Sequence, residues 1–178
     1  MNLLLRLILL LLTVRSRSRL GLFDESELVF HVLPTDLDLN MHMTNSRYLS
    51  LMDLGRIDLM FRTGVGRQAL KRRWGVALGA STIRYRRSLT LGQRFVLKTR
   101  VVGWDEKWVI MEQKIEREGE LIAHALMKGV FVARGKSVPT REIFASIGVD
   151  TDPQMLTSAM VSWAQLEEAM KAGEGEES

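Results

Sequence analysis

The chain has 178 residues, 46% of them hydrophobic and 26% charged, and no cysteine. That is the length and composition of one ordinary globular domain, and the missing thiols exclude a disulfide scaffold, a cysteine nucleophile and thiolate metal sites. The net charge of +4 reflects 25 Lys and Arg against 21 Asp and Glu, yet Arg6, Arg15, Arg17 and Arg19 all stand unopposed in residues 1–20; the remainder is neutral and offers no nucleic-acid-binding face.

Residues 1–20 read MNLLLRLILLLLTVRSRSRL. As a helix, the apolar run 3–14 is about 18 Å long, short of the ~30 Å hydrocarbon core. Arg6 interrupts it and no small-residue cleavage site follows, so neither a spanning helix nor a cleaved signal peptide is expected. The nearly continuous leucine favours a shallow membrane contact, which the following arginines would hold on the cytoplasmic face. The alternative is a helix packed on the body of the protein or on an oligomeric partner.

Residues 27–33 (ELVFHVL) predict a first strand, with His31 toward solvent or a strand neighbour. The densest polar stretch follows, HVLPTDLDLNMHMTNSRY at 31–48. Asp36, Asp38, Asn40 and His42 alternate with Leu37, Leu39, Met41 and Met43, so in extended chain the polar groups would share one face. An apolar-periodic run then predicts a helix over 46–63, capped by Asn45 or Thr44. A carboxylate, an amide and an imidazole are thereby delivered to a helix N-terminus, whose N–H groups can hold a reacting carbonyl. Asp and Asn also crowd into turns and caps for local reasons, which is the structural alternative for each residue alone. A calcium loop is excluded, because the positions that need Gly and Glu hold Met41 and Arg47. Within the helix, Gly55 costs up to about 1 kcal/mol of propensity, which a close backbone neighbour would explain. Asp53 and Arg56 are spaced to pair.

A short basic turn of helix is expected at 67–74, then strands at 76–89, 94–103, 108–117 and 121–133. Gly92-Gln93, Asp105-Glu106-Lys107 and Glu118-Gly119 mark the turns between them. One strand, a buried helix and an antiparallel meander predict an α+β domain with the sheet wrapped on the helix. Arg84 and Arg86 share a strand face, either solvated or a site for phosphates. His124 reads as a sheet histidine. After Gly135 the composition loosens, and Asp152-Pro153 opens a helix carrying Met155, Ala159, Trp163, Leu166 and Met170. The expected division is an apolar and basic segment (1–20), the main domain (21–135), a helical extension (136–172) and an acidic, solvated tail (173–178).

The stretch TDLDLNMHMTNSRYL resembles the signature of hotdog-fold acyl thioesterases, including the plant acyl-carrier-protein enzymes and the four-hydroxybenzoyl-CoA thioesterase group. RYRRSL at 84–89 and LKTRVVGWDEKW at 97–108 are similar to segments of small superfamily members with an apolar N-terminus, so the resemblance covers roughly 28–134. It implies an antiparallel sheet around a long central helix, with added N- and C-terminal helices. It implies hydrolysis of an acyl-CoA or acyl-carrier-protein thioester without metal or cofactor. A homo-oligomer, dimer or higher, with sites at the subunit interface is implied as well. By position, Asp38 resembles the catalytic carboxylate, as nucleophile or general base, with Asn40 and His42 as companions; Asn45, Tyr48, Arg84 and Arg86 are expected along the substrate. Met41 departs from the small or polar residue usual there, and a further acidic residue of the plant enzymes has no match. Two other functions are compatible with the same fold, a non-catalytic acyl-binding scaffold at a membrane and a hydratase or dehydratase.

Overall fold

The computed structural model describes residues 2–152, 154–155, 161–163 and 165–170. Five long strands form one antiparallel sheet: β1 (Ser26–His31), β2 (Gly75–Tyr85), β3 (Arg94–Trp104), β4 (Trp108–Arg117) and β5 (Glu120–Ala133). Their spatial order is β1-β3-β4-β5-β2. Alternation sends Phe95, Leu97 and Thr99 of β3, Gln113 and Ile115 of β4, and Ala123, Ala125 and Met127 of β5 to one buried face. That face packs on α2 (Asn45–Thr63), whose Tyr48, Leu51, Met52, Leu54 and Leu59 are buried. The sheet thus curls round a central helix, as expected.

A simple meander of the last four long strands is not what forms. β3, β4 and β5 are consecutive neighbours, but β2 pairs with β5 and not with β3. The other edge of β3 is occupied by β1, so residues 86–93 must carry the chain across the α2 N-terminus and cannot close a tight hairpin. On the way, Leu89 takes a hydrogen bond from the N–H of Met43 at 2.8 Å.

Gly55 does mark a close approach, though to side chains and not to backbone. A Cβ there would stand 2.5 Å from Thr99 Oγ1, 2.9 Å from Leu97 Cδ2 and 3.0 Å from Gln113 Nε2. Gln113, fully buried, donates to the Met52 carbonyl and to Thr99, and accepts from Arg56 at 2.8 Å. This polar lock joins helix and sheet at the centre of the core, with every partner satisfied.

The short helix α3 (Val65–Arg72) follows α2 where the basic turn was expected at 67–74. Past β5, β6 (Lys136–Ser137) pairs with β5, and α4 (Thr140–Ala145) buries Ile143 and Phe144, a helix that the loosened composition did not announce. Met155 lies in β7 (Gln154–Met155), paired with β3, and so is not helical. Ala159 lies outside the described residues. Residues 161–163 and 165–170 are helical, and Trp163 packs with Val102, Ile110 and Leu126 on the outer face of the sheet.

The leucine run is helical as α1 (Asn2–Thr13) and has two faces. Leu3, Leu7 and Leu10 pack on the core, whereas Leu4, Leu5, Ile8, Leu9, Leu11 and Leu12 are exposed. No helix among the described residues is long and apolar enough to cross a membrane. Arg17 does not belong to a free basic cluster: it binds fully buried Asp58 at 2.7 Å and the Glu27 carbonyl at 2.6 Å. Asp58 also accepts from Ser26 at 2.5 Å and from Arg62. Arg15 and Arg19 are exposed.

Candidate active site

The polar stretch before α2 does not run extended. Pro34–Asp36 forms a single turn of 3-10 helix, and residues 38–42 close on themselves. The N–H of Asp38 donates to the His42 carbonyl at 2.8 Å, and the N–H of Met41 donates to the Asp38 carbonyl at 3.1 Å. Met41 pays for this reversal with a left-handed φ of 61°. The four polar residues therefore do not share a face. Local hydrogen bonding by Asp competes with extended chain, and here it wins.

Asp36 turns inward. It is fully buried, with Arg6 of α1 at 2.8 Å on one carboxylate oxygen and Arg47 of α2 at 3.0 Å on the other. It also accepts the N–H of Leu33 at 2.9 Å, and its carbonyl accepts the N–H of Thr44. Removing one partner from such a buried pair costs about 3–5 kcal/mol, so Asp36 anchors the loop between two helices.

Asp38 turns outward. Its Oδ1 accepts the N–H groups of Asn40 at 2.8 Å and His42 at 3.0 Å, and the residue is exposed. Asn40 and His42 are exposed beside it. Among the described residues no side-chain hydrogen bond joins the three, so they are co-presented on one small loop and do not form a linked triad. Leu39 and Met41 expose apolar side chains at the same tip.

The loop delivers the chain straight into α2. Thr44 is the N-cap, but its side chain makes no capping bond and engages Ser46 instead. The N–H of Arg47 donates to the Thr44 carbonyl at 2.9 Å, which leaves the N–H groups of Asn45 and Ser46 to meet an incoming oxygen at the positive end of the helix. Asn45 is exposed there. Tyr48 is buried, and burial raises its pKa, opposed by a hydrogen bond from Leu89 backbone. Its ring meets that of Tyr85 edge-on, with the centroids 5.2 Å apart. Sequence reading passed over Tyr85 in favour of its arginine neighbours. Its hydroxyl donates to the Asn45 carbonyl at 3.4 Å, and burial raises its pKa also.

Because Tyr85 faces α2, alternation puts Arg84 on the opposite, outer face of the sheet, where its register partner is His124. His124 itself bonds Glu112 at 2.8 Å, the role of a sheet histidine. Arg86 lies just past the end of β2 and is exposed, next to Arg87, which is paired with Glu120 at 2.7 Å. No group of three His, Asp or Glu among the described residues is arranged to hold a metal.

The sequence profile of the thioesterase-like superfamily matches residues 32–152. The chain is 41% identical over 104 residues to "Protein THEM6" of Danio rerio, covering 57% of this chain and 52% of that protein. It is 28% identical over 148 residues to "Thioesterase lcsJ" of Purpureocillium lilacinum, covering 69% and 48%. The chain thus spans about half the length of the curated relatives it matches. Among solved structures, a thioesterase from Thermus thermophilus complexed with coenzyme A and Zn is similar with a TM-score of 0.61 and 26% identity, over 71% of this chain and 99% of that one. A Staphylococcus aureus protein in complex with CoA shares the fold, with a TM-score of 0.64 and 16% identity over 73% and 85%. The architecture is the hotdog fold.

Proposed function

Since the chain belongs to the thioesterase-like superfamily, we propose that it hydrolyses an acyl-CoA or acyl-carrier-protein thioester, with Asp38 as the working carboxylate. The observation that carries this reading is the presentation of Asp38, Asn40 and His42 on one exposed loop beside an uncapped helix N-terminus. The thioester carbonyl oxygen sits at the N–H groups of Asn45 and Ser46, which stabilise the negative charge that develops on it. Asp38, with one oxygen fixed by its own loop and solvent at hand, takes a proton from water as the water oxygen bonds to the carbonyl carbon. The C–S bond then breaks, and the proton passes to the departing thiolate. Asn40 orients the water, and His42 supports the carboxylate. Arg86 is the cation best placed for the phosphates of coenzyme A; Arg84 adds only long-range charge from the outer face. The exposed placement of the three loop side chains without mutual bonds favours one second reading, an acyl-binding protein without turnover.

The proposed enzyme is a homodimer. β2 is a sheet edge with exposed Val76 and Leu78, a surface that a second copy covers. Light scattering should give twice the 20.3 kDa chain mass; a fully active monomer would contradict this. The outer face of α1, with Arg15 and Arg19, lies on the cytoplasmic face of a membrane as a peripheral contact. Steady thiol release across a panel of acyl-CoAs tests the function itself. Stoichiometric binding without turnover on every member would leave the acyl-binding reading in its place.

A further inference from the structure

The chain carries a run of cations on α3 that the thioester reading does not use. Arg67, Lys71, Arg72 and Arg73 stand close together, and no Asp or Glu occurs between Asp58 and Asp105. α3 buries Val65, Gly66 and Ala69, and it is seated closely: a Cβ on Gly66 would stand 3.2 Å from Phe61 Cγ. Helical spacing then turns Arg67, Leu70 and Lys71 outward together, and all three are exposed, Leu70 by 69%. Arg72 is occupied, pairing with Glu142 at 3.2 Å and lying over the Trp74 ring. Among the described residues, Arg67 and Lys71 have no anionic partner.

The outward face of α3 meets that of α1 across a groove of about 310 Å³. Leu11, Val14 and Arg15 line it at the end of α1, Phe61 from α2, and Arg67 and Leu70 from α3. Each side thus brings one arginine and exposed leucine, and none of the lining belongs to β2. The pairing of the two chemistries is what selects a ligand. Cations alone suit any polyanion, but a nucleic acid would leave Leu11 and Leu70 against water or phosphate. An anionic group joined directly to hydrocarbon satisfies both, as at the head-group boundary of a bilayer.

We propose that this groove binds an anionic phospholipid of a membrane surface, with the phosphate between Arg15 and Arg67 and the first methylenes along Leu11 and Leu70. Lys71 adds charge beside it. The inference rests on the reading that the outer face of α1 lies on a membrane, and adds α3 as a second, separately built point of attachment. A single helix lying in the interface can roll about its axis. Two attached helices on one rigid body fix which side of the protein faces the lipid.

The test uses residues 1–178 and sedimentation with phosphatidylcholine vesicles that contain or lack phosphatidylserine, at low and high salt. Arg67→Gln combined with Lys71→Gln should weaken partition onto phosphatidylserine vesicles about twentyfold at low salt, or about fivefold per cation. At high salt, where the charges are screened, this variant should match the wild type. Leu70→Ser should weaken partition about tenfold at either salt, because that loss is apolar. All three side chains are exposed, so Tm should stay at the wild-type value. Leu5→Ser combined with Leu9→Ser, on the bare face of α1 and outside the groove lining, reads the α1 contact separately. If the α3 variants sediment like wild type while the α1 variant does not, the groove is overturned and the α1 contact stands. The reverse pattern supports the groove and removes the α1 contact. A loss on removing the cations with none for Leu70→Ser would mark a site for polyanions such as nucleic acid and overturn the lipid. A mass that Leu70→Ser halves in light scattering would give the leucine to a second copy, with the same consequence. Wild type that ignores both kinds of vesicle would overturn both attachments.

Discussion

At Glu112, on the outer face of the sheet, burial would raise the carboxyl pKa, but hydrogen bonds from Arg100, His124 and Lys114 outweigh it and hold it below its ordinary value of 4.5. A carboxyl with a lower pKa folded than unfolded adds stability above the unfolded value and loses it as pH falls through the folded one. The stability gap between wild type and Glu112→Gln should therefore be widest above about pH 4.5 and close under more acid conditions. Denaturant titrations at several pH values would read it, and a gap that stays constant into acid would refute the assignment. The loop before α2 shows what single residues disclose and what they hide. That Asp36, Asp38, Asn40 and His42 form a special cluster was legible from density alone. Their geometry was not, because the period-2 pattern assumes extended chain, and Asp38 spends one oxygen on its own loop. Asp36 shapes the loop through Arg6, a partner thirty positions away. Tyr85 went unnoticed because its importance lies in a contact with Asn45, forty residues distant.

Among the elements, α2 was the most legible, since an apolar run with a cap and a terminal glycine has little choice of structure. Gly55 there sets two effects against each other. Replacing it with alanine gains up to about 1 kcal/mol of helix propensity, but the added Cβ would meet Thr99 Oγ1 at 2.5 Å, and overpacking costs about 1–3 kcal/mol. Packing should win, so Gly55→Ala should lower Tm; a rise would mean that β3 recedes freely from the helix. The leucine run was ambiguous because helix α1 answers to both of its readings, with one face on the core and the other bare. The bare face should bind anionic vesicles by apolar transfer, with Arg15 and Arg19 adding roughly 1 kcal/mol each that salt removes. Sedimentation with vesicles should thus be strong at low salt and partial at high salt. The inner face makes a further demand. A chain beginning at Gly21 loses the Arg6–Asp36 and Arg17–Asp58 pairs, and so should be less stable as well as unable to sediment. If residues 1–178 stay in the supernatant with vesicles at low salt, the membrane contact falls.

For the whole molecule, an α+β fold with a sheet around one helix followed from the order of elements, and the strand order did not. Turn signals mark where the chain reverses but not which strand it rejoins, and the crossing by residues 86–93 depends on β1 already holding the edge of β3. That crossing is also what brings Tyr85 and Leu89 to the α2 N-terminus, so the candidate site is a product of topology as much as of its own motif. The central claim is that this junction hydrolyses thioesters through Asp38. Its most direct measurement is single-turnover thiol release from an acyl-CoA by wild type and Asp38→Asn, with Asp36→Asn alongside and the folded state of each verified. The account predicts that Asp38→Asn folds normally and releases thiol at least about a hundredfold more slowly, while Asp36→Asn shows its defect chiefly as lost stability. Equal rates for Asp38→Asn and wild type would contradict it.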